Sequence, residues 1–97
     1  MIKSYKTQGT RDIFNGKPTR EARQLCPVTL WNIAARKLIL LDSAAVLKDL
    51  LVPPGNRFEK LKGDRIGQYS IRINDQYRIC FIWMEGPEQV EISNYHK

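Results

Sequence analysis

Arg72 and Arg78 are the residues of this chain best placed to do chemistry. They flank Asn74-Asp75-Gln76, which reads as a hairpin turn. Each is out of phase with the apolar residues of its own strand: Tyr69, Ile71 and Ile73 before the turn, and Tyr77, Ile79, Phe81 and Trp83 after it. The two guanidiniums are therefore expected to be neighbours on the face opposite the core. Arginine stays charged at any working pH and grips a phosphate through two parallel hydrogen bonds. Cations held rigidly on a sheet suit a protein that binds or cleaves a phosphodiester, because they stabilise charge on the non-bridging oxygens. Two aligned arginines on their own fit a merely solvated face better.

Other side chains could contribute. Lys62 and Arg65 stand in a loop that Gly63 and Gly67 make tight and flexible, and they could bind backbone phosphates, with Asp64 pairing Arg65 across the turn; an ordinary polar loop is the plain alternative. Glu59 could be a general base, although an ion pair with Lys60 or Lys62 is the commoner fate of such a residue. Tyr95 and His96 follow the last expected strand. His96 is the sole histidine, and an imidazole near its ordinary pKa moves protons at neutral pH, whereas a tyrosine can stack on a base; a frayed end is the bland reading. Cys80 reads as a buried thiol, and Trp31 and Trp83 as core residues.

These groups need a scaffold, and the hydrophobic pattern supplies one. Met1–Tyr5 can open a short strand, and Thr10–Phe14 a helical turn capped by Thr10 and ended by Asn15-Gly16. Residues 17–27 are basic and broken by Pro18 and Pro27, a mobile connection or a short helix. Thr29–Leu41 is the best helix, capped by Thr29, with Leu30, Ala34, Leu38 and Leu41 on one face. Asp42 or Ser43 can cap a second short helix through Leu50, which Pro53-Pro54-Gly55 stops. The period then changes from helical to alternating. Phe58 and Leu61 mark a first strand, the two arginine strands follow, and Val90 and Ile92 belong to a last one after Glu85-Gly86-Pro87. The order predicts an α+β layer: an N-terminal strand and helices packed on an antiparallel sheet.

The chain has 97 residues, 42% of them hydrophobic, which fits one domain spanning residues 1–97. Net charge is +6, and residues 1–37 hold eight Lys or Arg against Asp12 and Glu21. Such a surface favours nucleic acid or an acidic protein partner. Cys26 and Cys80 make no disulfide framework, and one histidine without a Cys-x-x-Cys argues against structural zinc. No secretory segment or long apolar run is legible, so the expected setting is the cytoplasm, without membrane insertion.

The run Leu61-Lys62-Gly63-Asp64-Arg65, the run from Gln68 to Phe81, and Tyr95-His96 together resemble the HigB-type toxins, the plasmid-maintenance killer-protein branch of the RelE/ParE superfamily. Met1–Tyr5, Arg36-Lys37-Leu38 through Asp42, and Pro53-Pro54-Gly55-Asn56-Arg57 fit the same branch, so the resemblance covers nearly the whole chain. It implies a RelE-like microbial RNase fold and a type II toxin that cuts mRNA in the ribosomal A site. No metal or other cofactor is implied: the ribose 2′-OH attacks the adjacent phosphate. It also implies a HigA-like helix-turn-helix antitoxin, with operator DNA reached only through the antitoxin complex. By position, Arg78 matches the arginine near the scissile phosphate, Arg72 a basic strand position, Lys62 a loop lysine, and Tyr95 and His96 the end of an Asp-Tyr-His motif. Two positions depart. Asn94 stands in place of the motif's aspartate, and Glu59 stands where some relatives carry a histidine. Two other functions share these features: a ParE-like gyrase-inhibiting toxin, and a non-catalytic module that binds antitoxin or nucleic acid.

Overall fold

Alternation of apolar and polar side chains from Tyr69 onward produces the expected meander. The computed structural model describes residues 1–94, with strands β1 (Glu59–Lys60), β2 (Tyr69–Arg72), β3 (Tyr77–Trp83) and β4 (Pro87–Asn94) in spatial order β1-β2-β3-β4, all antiparallel. The β2–β3 turn is held by Asn74, whose Oδ1 accepts the N–H groups of Gln76 (2.9 Å) and Tyr77 (2.7 Å). β4 carries one extra residue between its pairs to Cys80 and Ile82, a bulge at which Gln89 takes a positive φ of 52°. The N-terminal segment runs parallel along β4, with Lys3 and Lys6 N–H donating to Pro87 and Val90 O, and Tyr5 bridging Val90.

Three helices cover one sheet face: α1 (Gln8–Phe14), α2 (Arg20–Leu25) and α3 (Trp31–Ser43). Ala34, Leu38 and Leu41 of α3, Ile13 of α1 and Ala22 of α2 meet Ile71, Ile79, Phe81, Val90 and Ile92 of the sheet in one core. Each such large side chain contributes about 1.5–3 kcal/mol when fully buried. Trp31 and Trp83 are only half-buried and line the rim of that core. Among the described residues no helix is long and apolar enough to cross a membrane.

Three expected helix caps have other partners. α1 starts at Gln8, so Thr10 lies inside it, and its hydroxyl accepts the Ile92 N–H of β4 at 3.0 Å. Asp42 lies inside α3, and its Oδ1 accepts the Ile2 N–H at 2.8 Å, tying down the N-terminal segment. Thr29 belongs to a 3₁₀ turn, Val28–Leu30, that leads into α3 because Pro27 O accepts the Leu30 N–H at 2.9 Å. The expected second helix is a 3₁₀ turn, Leu47–Leu51, capped by Asp49 Oδ2 through the N–H groups of Ala45 and Val46.

The basic stretch after Lys17 does contain a helix, capped by Thr19 through the Ala22 N–H. α1 and α2 touch at Gly9, where a Cβ would lie 2.6 Å from Glu21 O. Asp12 bridges them, accepting from Gln8 Nε2 at 2.8 Å and from the Thr19 hydroxyl at 2.6 Å. The Thr19 and then the Gln8 hydrogen bonds hold the Asp12 carboxyl below its ordinary value of 3.8. A depressed folded-state pKa gives stability that is complete above the unfolded value and is lost as pH falls through the folded one. Thermal unfolding of wild type and Asp12→Asn across pH is therefore expected to show the widest gap near neutrality, narrowing below about pH 4. A constant gap would show that the ionised carboxylate is not what joins the helices.

Candidate active site

The sheet face turned away from the helices carries two rows of side chains set by register. One runs Glu59, Ser70, Cys80, Glu91 across β1, β2, β3 and β4; the next runs Arg72, Arg78, Ser93 across β2, β3 and β4. Arg72 and Arg78 are thus direct cross-strand partners, as the alternation predicts.

Their guanidiniums are nevertheless held in different places. The Arg78 side chain is only 13% exposed. Its Nη1 donates to Ser70 Oγ (3.1 Å) and Arg57 O (3.3 Å), and its Nη2 to Glu59 Oε1 (3.3 Å). Arg57 itself lies in the left-handed region, φ 43°, which costs a non-glycine residue of order 1–3 kcal/mol and aims its carbonyl at Arg78. Arg72 Nη2 instead pairs with Asp75 in the hairpin turn, and that hydrogen bond, with the arginine's charge, holds the Asp75 carboxyl below its ordinary range. Glu59 therefore pairs neither Lys60 nor Lys62, because strand pairing brings Arg78 to it.

Arg65 leaves the 3₁₀ turn Gly63–Arg65 and spans the sheet. Its Nη1 donates to Gln68 Oε1 (3.1 Å) and approaches Glu91 Oε2 (3.4 Å), and its Nη2 donates to Ser93 Oγ (3.0 Å). Its described partners thus include Glu91 and Ser93 of β4 rather than Asp64, and since Ser93 is the register partner of Arg78 the two arginines share one sheet face. Lys62 is exposed at the start of the same loop. Asn94 is the register partner of Tyr77, so it belongs to the opposite face and does not join Arg78. Tyr95 and His96 lie outside the described residues.

Several site residues escaped sequence reasoning. Ser70 and Ser93 orient the two arginines; period-two counting from Arg72 reaches Ser70, whereas only the β3–β4 register brings Ser93 to Arg78. Lys37 of α3 reaches the loop before β1, where its ammonium donates to Asn56 Oδ1 at 2.6 Å; burial, then Arg36 and Arg72, lower its pKa. No local pattern signals that contact. Cys80 lies fully buried within the first row, and burial pushes its thiol above the ordinary value. Among the described residues no group of three or more His, Cys, Asp or Glu is placed to hold a metal ion. What the arrangement offers is a guanidinium anchored by Ser70, Arg57 and Glu59, with that carboxylate at its edge and a second arginine, Arg65, held on the same face through Ser93. That combination can orient a phosphodiester, stabilise charge on its oxygens and accept a proton.

Comparison with known proteins establishes the fold and the family. A chain of the YoeB–YefM complex from Staphylococcus aureus superposes with a TM-score of 0.60 at 17% identity, covering 100% of this chain and 99% of that one, which establishes the shared fold. Toxin HigB-1 of Vibrio cholerae serotype O1 is 49% identical over 63 residues, 65% of this chain and 66% of that protein. An uncharacterised protein of Haemophilus influenzae is 34% identical over 70 residues, 72% of this chain and 65% of that one. The chain thus spans just under two thirds of the length of these two relatives. The model of the HigB-like toxins matches residues 3–96. With the fold and that match in agreement, the chain belongs to the HigB-like family, the RelE-like toxins of type II toxin–antitoxin systems.

Proposed function

We propose that this toxin is a ribosome-dependent endoribonuclease that cuts mRNA in the A site. The observation that carries this reading is Arg78, fixed by Ser70 and Arg57 with the Glu59 carboxylate 3.3 Å from its Nη2. The substrate supplies its own nucleophile. The ribose 2′-oxygen bonds to the adjacent phosphorus as the bond from phosphorus to O5′ breaks, leaving a 2′,3′-cyclic phosphate and a 5′-OH. Arg78 neutralises charge gathering on the non-bridging oxygens, with Arg65 as the second cation. Glu59 takes the 2′-OH proton, the work expected of a histidine in some relatives. His96, by family resemblance, returns a proton to O5′, and Tyr95 belongs to the same motif. Lys62 and Arg72 hold flanking parts of the strand, and the ribosome supplies most of the substrate positioning.

The neighbour of the same fold is solved as a complex of two proteins, YoeB and YefM, which supports an antitoxin partner here as well. We assign that partner to the HigA-like helix-turn-helix class, acting in the cytoplasm and carrying any contact with operator DNA.

Primer extension on mRNA from a reconstituted translation reaction tests the reading. Cuts within A-site codons that vanish when ribosomes are omitted are expected. Intact mRNA together with DNA-damage signalling in cells would transfer the assignment to gyrase inhibition.

A further inference from the structure

α3 has a second face besides the one it buries. Ile33, Arg36, Lys37 and Leu40 recur at helical spacing and line a groove of about 310 Å³ along it. Ile33 and Leu40 are half-buried where they meet the core, and Ile39, about one turn beyond Arg36, is 53% exposed. Apolar exposure continues past Lys37. Its ammonium donates to Asn56 Oδ1, and Asn56 Nδ2 donates to the carbonyl of Val52, a residue 70% exposed. A single exposed apolar side chain is ordinary, whereas several gathered around one groove mark an interaction surface.

The charge on this groove narrows what can fill it. No acidic residue occurs from Ala22 to Leu41. Among the described residues, neither Arg36 nor Lys37 has a carboxylate within ion-pair distance. Lys37 has only the neutral Asn56 amide for its ammonium, with Arg36 and Arg72 near enough to act on its charge. A second copy of the chain joined through a two-fold axis would bring these cations toward the same two cations of its partner. An RNA backbone would neutralise the cations but set phosphates over Ile33, Ile39 and Leu40, burying little apolar surface. An amphipathic helix with carboxylates flanking its apolar stripe satisfies both requirements. The 13 residues of α3 give such a helix a run of about 20 Å to lie along.

We infer that this outer face of α3 is a docking surface for the antitoxin, which lays an acidic amphipathic helix over Ile33, Ile39 and Leu40 with its carboxylates at Arg36 and Lys37. The inference rests on the proposed antitoxin partner and not on the cleavage chemistry.

The test is calorimetric titration of the full-length toxin with the full-length antitoxin of the same toxin–antitoxin pair. Arg36→Glu and Ile39→Ser change exposed positions of α3, so each variant should melt near wild type. Each is expected to weaken antitoxin binding about tenfold or more, and Arg36→Lys to stay within about threefold of wild type. Lys60→Glu is the control, an equal charge reversal at an exposed position of the edge strand β1, and should bind as wild type does. Lysine substitution of the antitoxin's Asp and Glu residues, one at a time, should yield a variant that weakens binding to wild type yet recovers binding to Arg36→Glu. Affinities of folded Arg36→Glu and Ile39→Ser within about twofold of wild type, or a Lys60→Glu loss as large as theirs, would overturn the docking surface while leaving the antitoxin partner in place. Unchanged antitoxin binding by Arg36→Glu with weakened ribosome binding would overturn it in favour of an RNA contact. Failure of wild type to bind the antitoxin at all would remove the partner reading, and the docking surface with it.

Discussion

Arg78→Ala is expected to lower the single-turnover rate of mRNA cleavage by about 10²–10³-fold, the usual loss when one preorganised donor to a developing anion is removed. The size of the effect follows from how the guanidinium is held. A flexible surface arginine would spend binding energy on becoming ordered, whereas Arg78 is 13% exposed and is fixed by Ser70, Arg57 and Glu59 before substrate arrives. Arg78→Lys keeps the charge but loses the planar fork, so it should recover only part of the rate. Arg72→Ala is the internal comparison. Its guanidinium faces the hairpin turn and is already met by Asp75, so a loss below about tenfold is expected. Primer extension at matched protein amounts, with thermal melting of each variant, separates catalysis from folding. Equal cleavage by wild type and Arg78→Ala, or an Arg72 effect exceeding the Arg78 effect, would overturn the assignment of the scissile phosphate to Arg78.

Asn56→Ala should carry the second large effect, this time on stability. Asn56 is fully buried and satisfies three groups at once. Its Oδ1 accepts from Lys37 Nζ at 2.6 Å, and its Nδ2 donates to Leu50 O and Val52 O, each at 3.2 Å. Alanine leaves two carbonyls and an ammonium without that partner in a poorly solvated place. Each orphaned buried group costs about 1–3 kcal/mol, so a net loss on the order of 2–4 kcal/mol is expected. A protein of this size has only about 5–15 kcal/mol in total, and the melting temperature should drop by roughly 10–20 °C. Asn56→Asp does not rescue, because a carboxylate pairs with Lys37 but cannot donate to Leu50 and Val52. Cleavage should fall as well, even below the melting temperature, since the next residue, Arg57, supplies the carbonyl that orients Arg78. A melting temperature within about 2 °C of wild type would show that the loop before β1 does not depend on this network.

The contrast between these two sites shows what was legible in the chain. Alternation around Asn74-Asp75-Gln76 determined the β2–β3 hairpin and made Arg72 and Arg78 register partners, because a strand's side chains change face at every residue and an asparagine can close its own turn. The helical period determined the buried face of α3, and the long run from Leu61 to Phe81 carried the family. Residues with two possible partners were decided only by the tertiary structure. Thr10 and Asp42 read as local helix caps, yet they satisfy backbone N–H groups of Ile92 and Ile2, which the sheet edge and the N-terminal segment bring to them. Glu59 has lysines as sequence neighbours but an arginine from β3 as its partner, and Arg65 crosses the sheet to Glu91 and Ser93. Asn94 falls on the face away from Arg78 because register, not proximity to the expected motif, assigns its side. Periodicity records which residues share a face of one element. It carries no information on which strand lies alongside or at what offset, and a charge or hydrogen-bonding group takes the partner nearest in space.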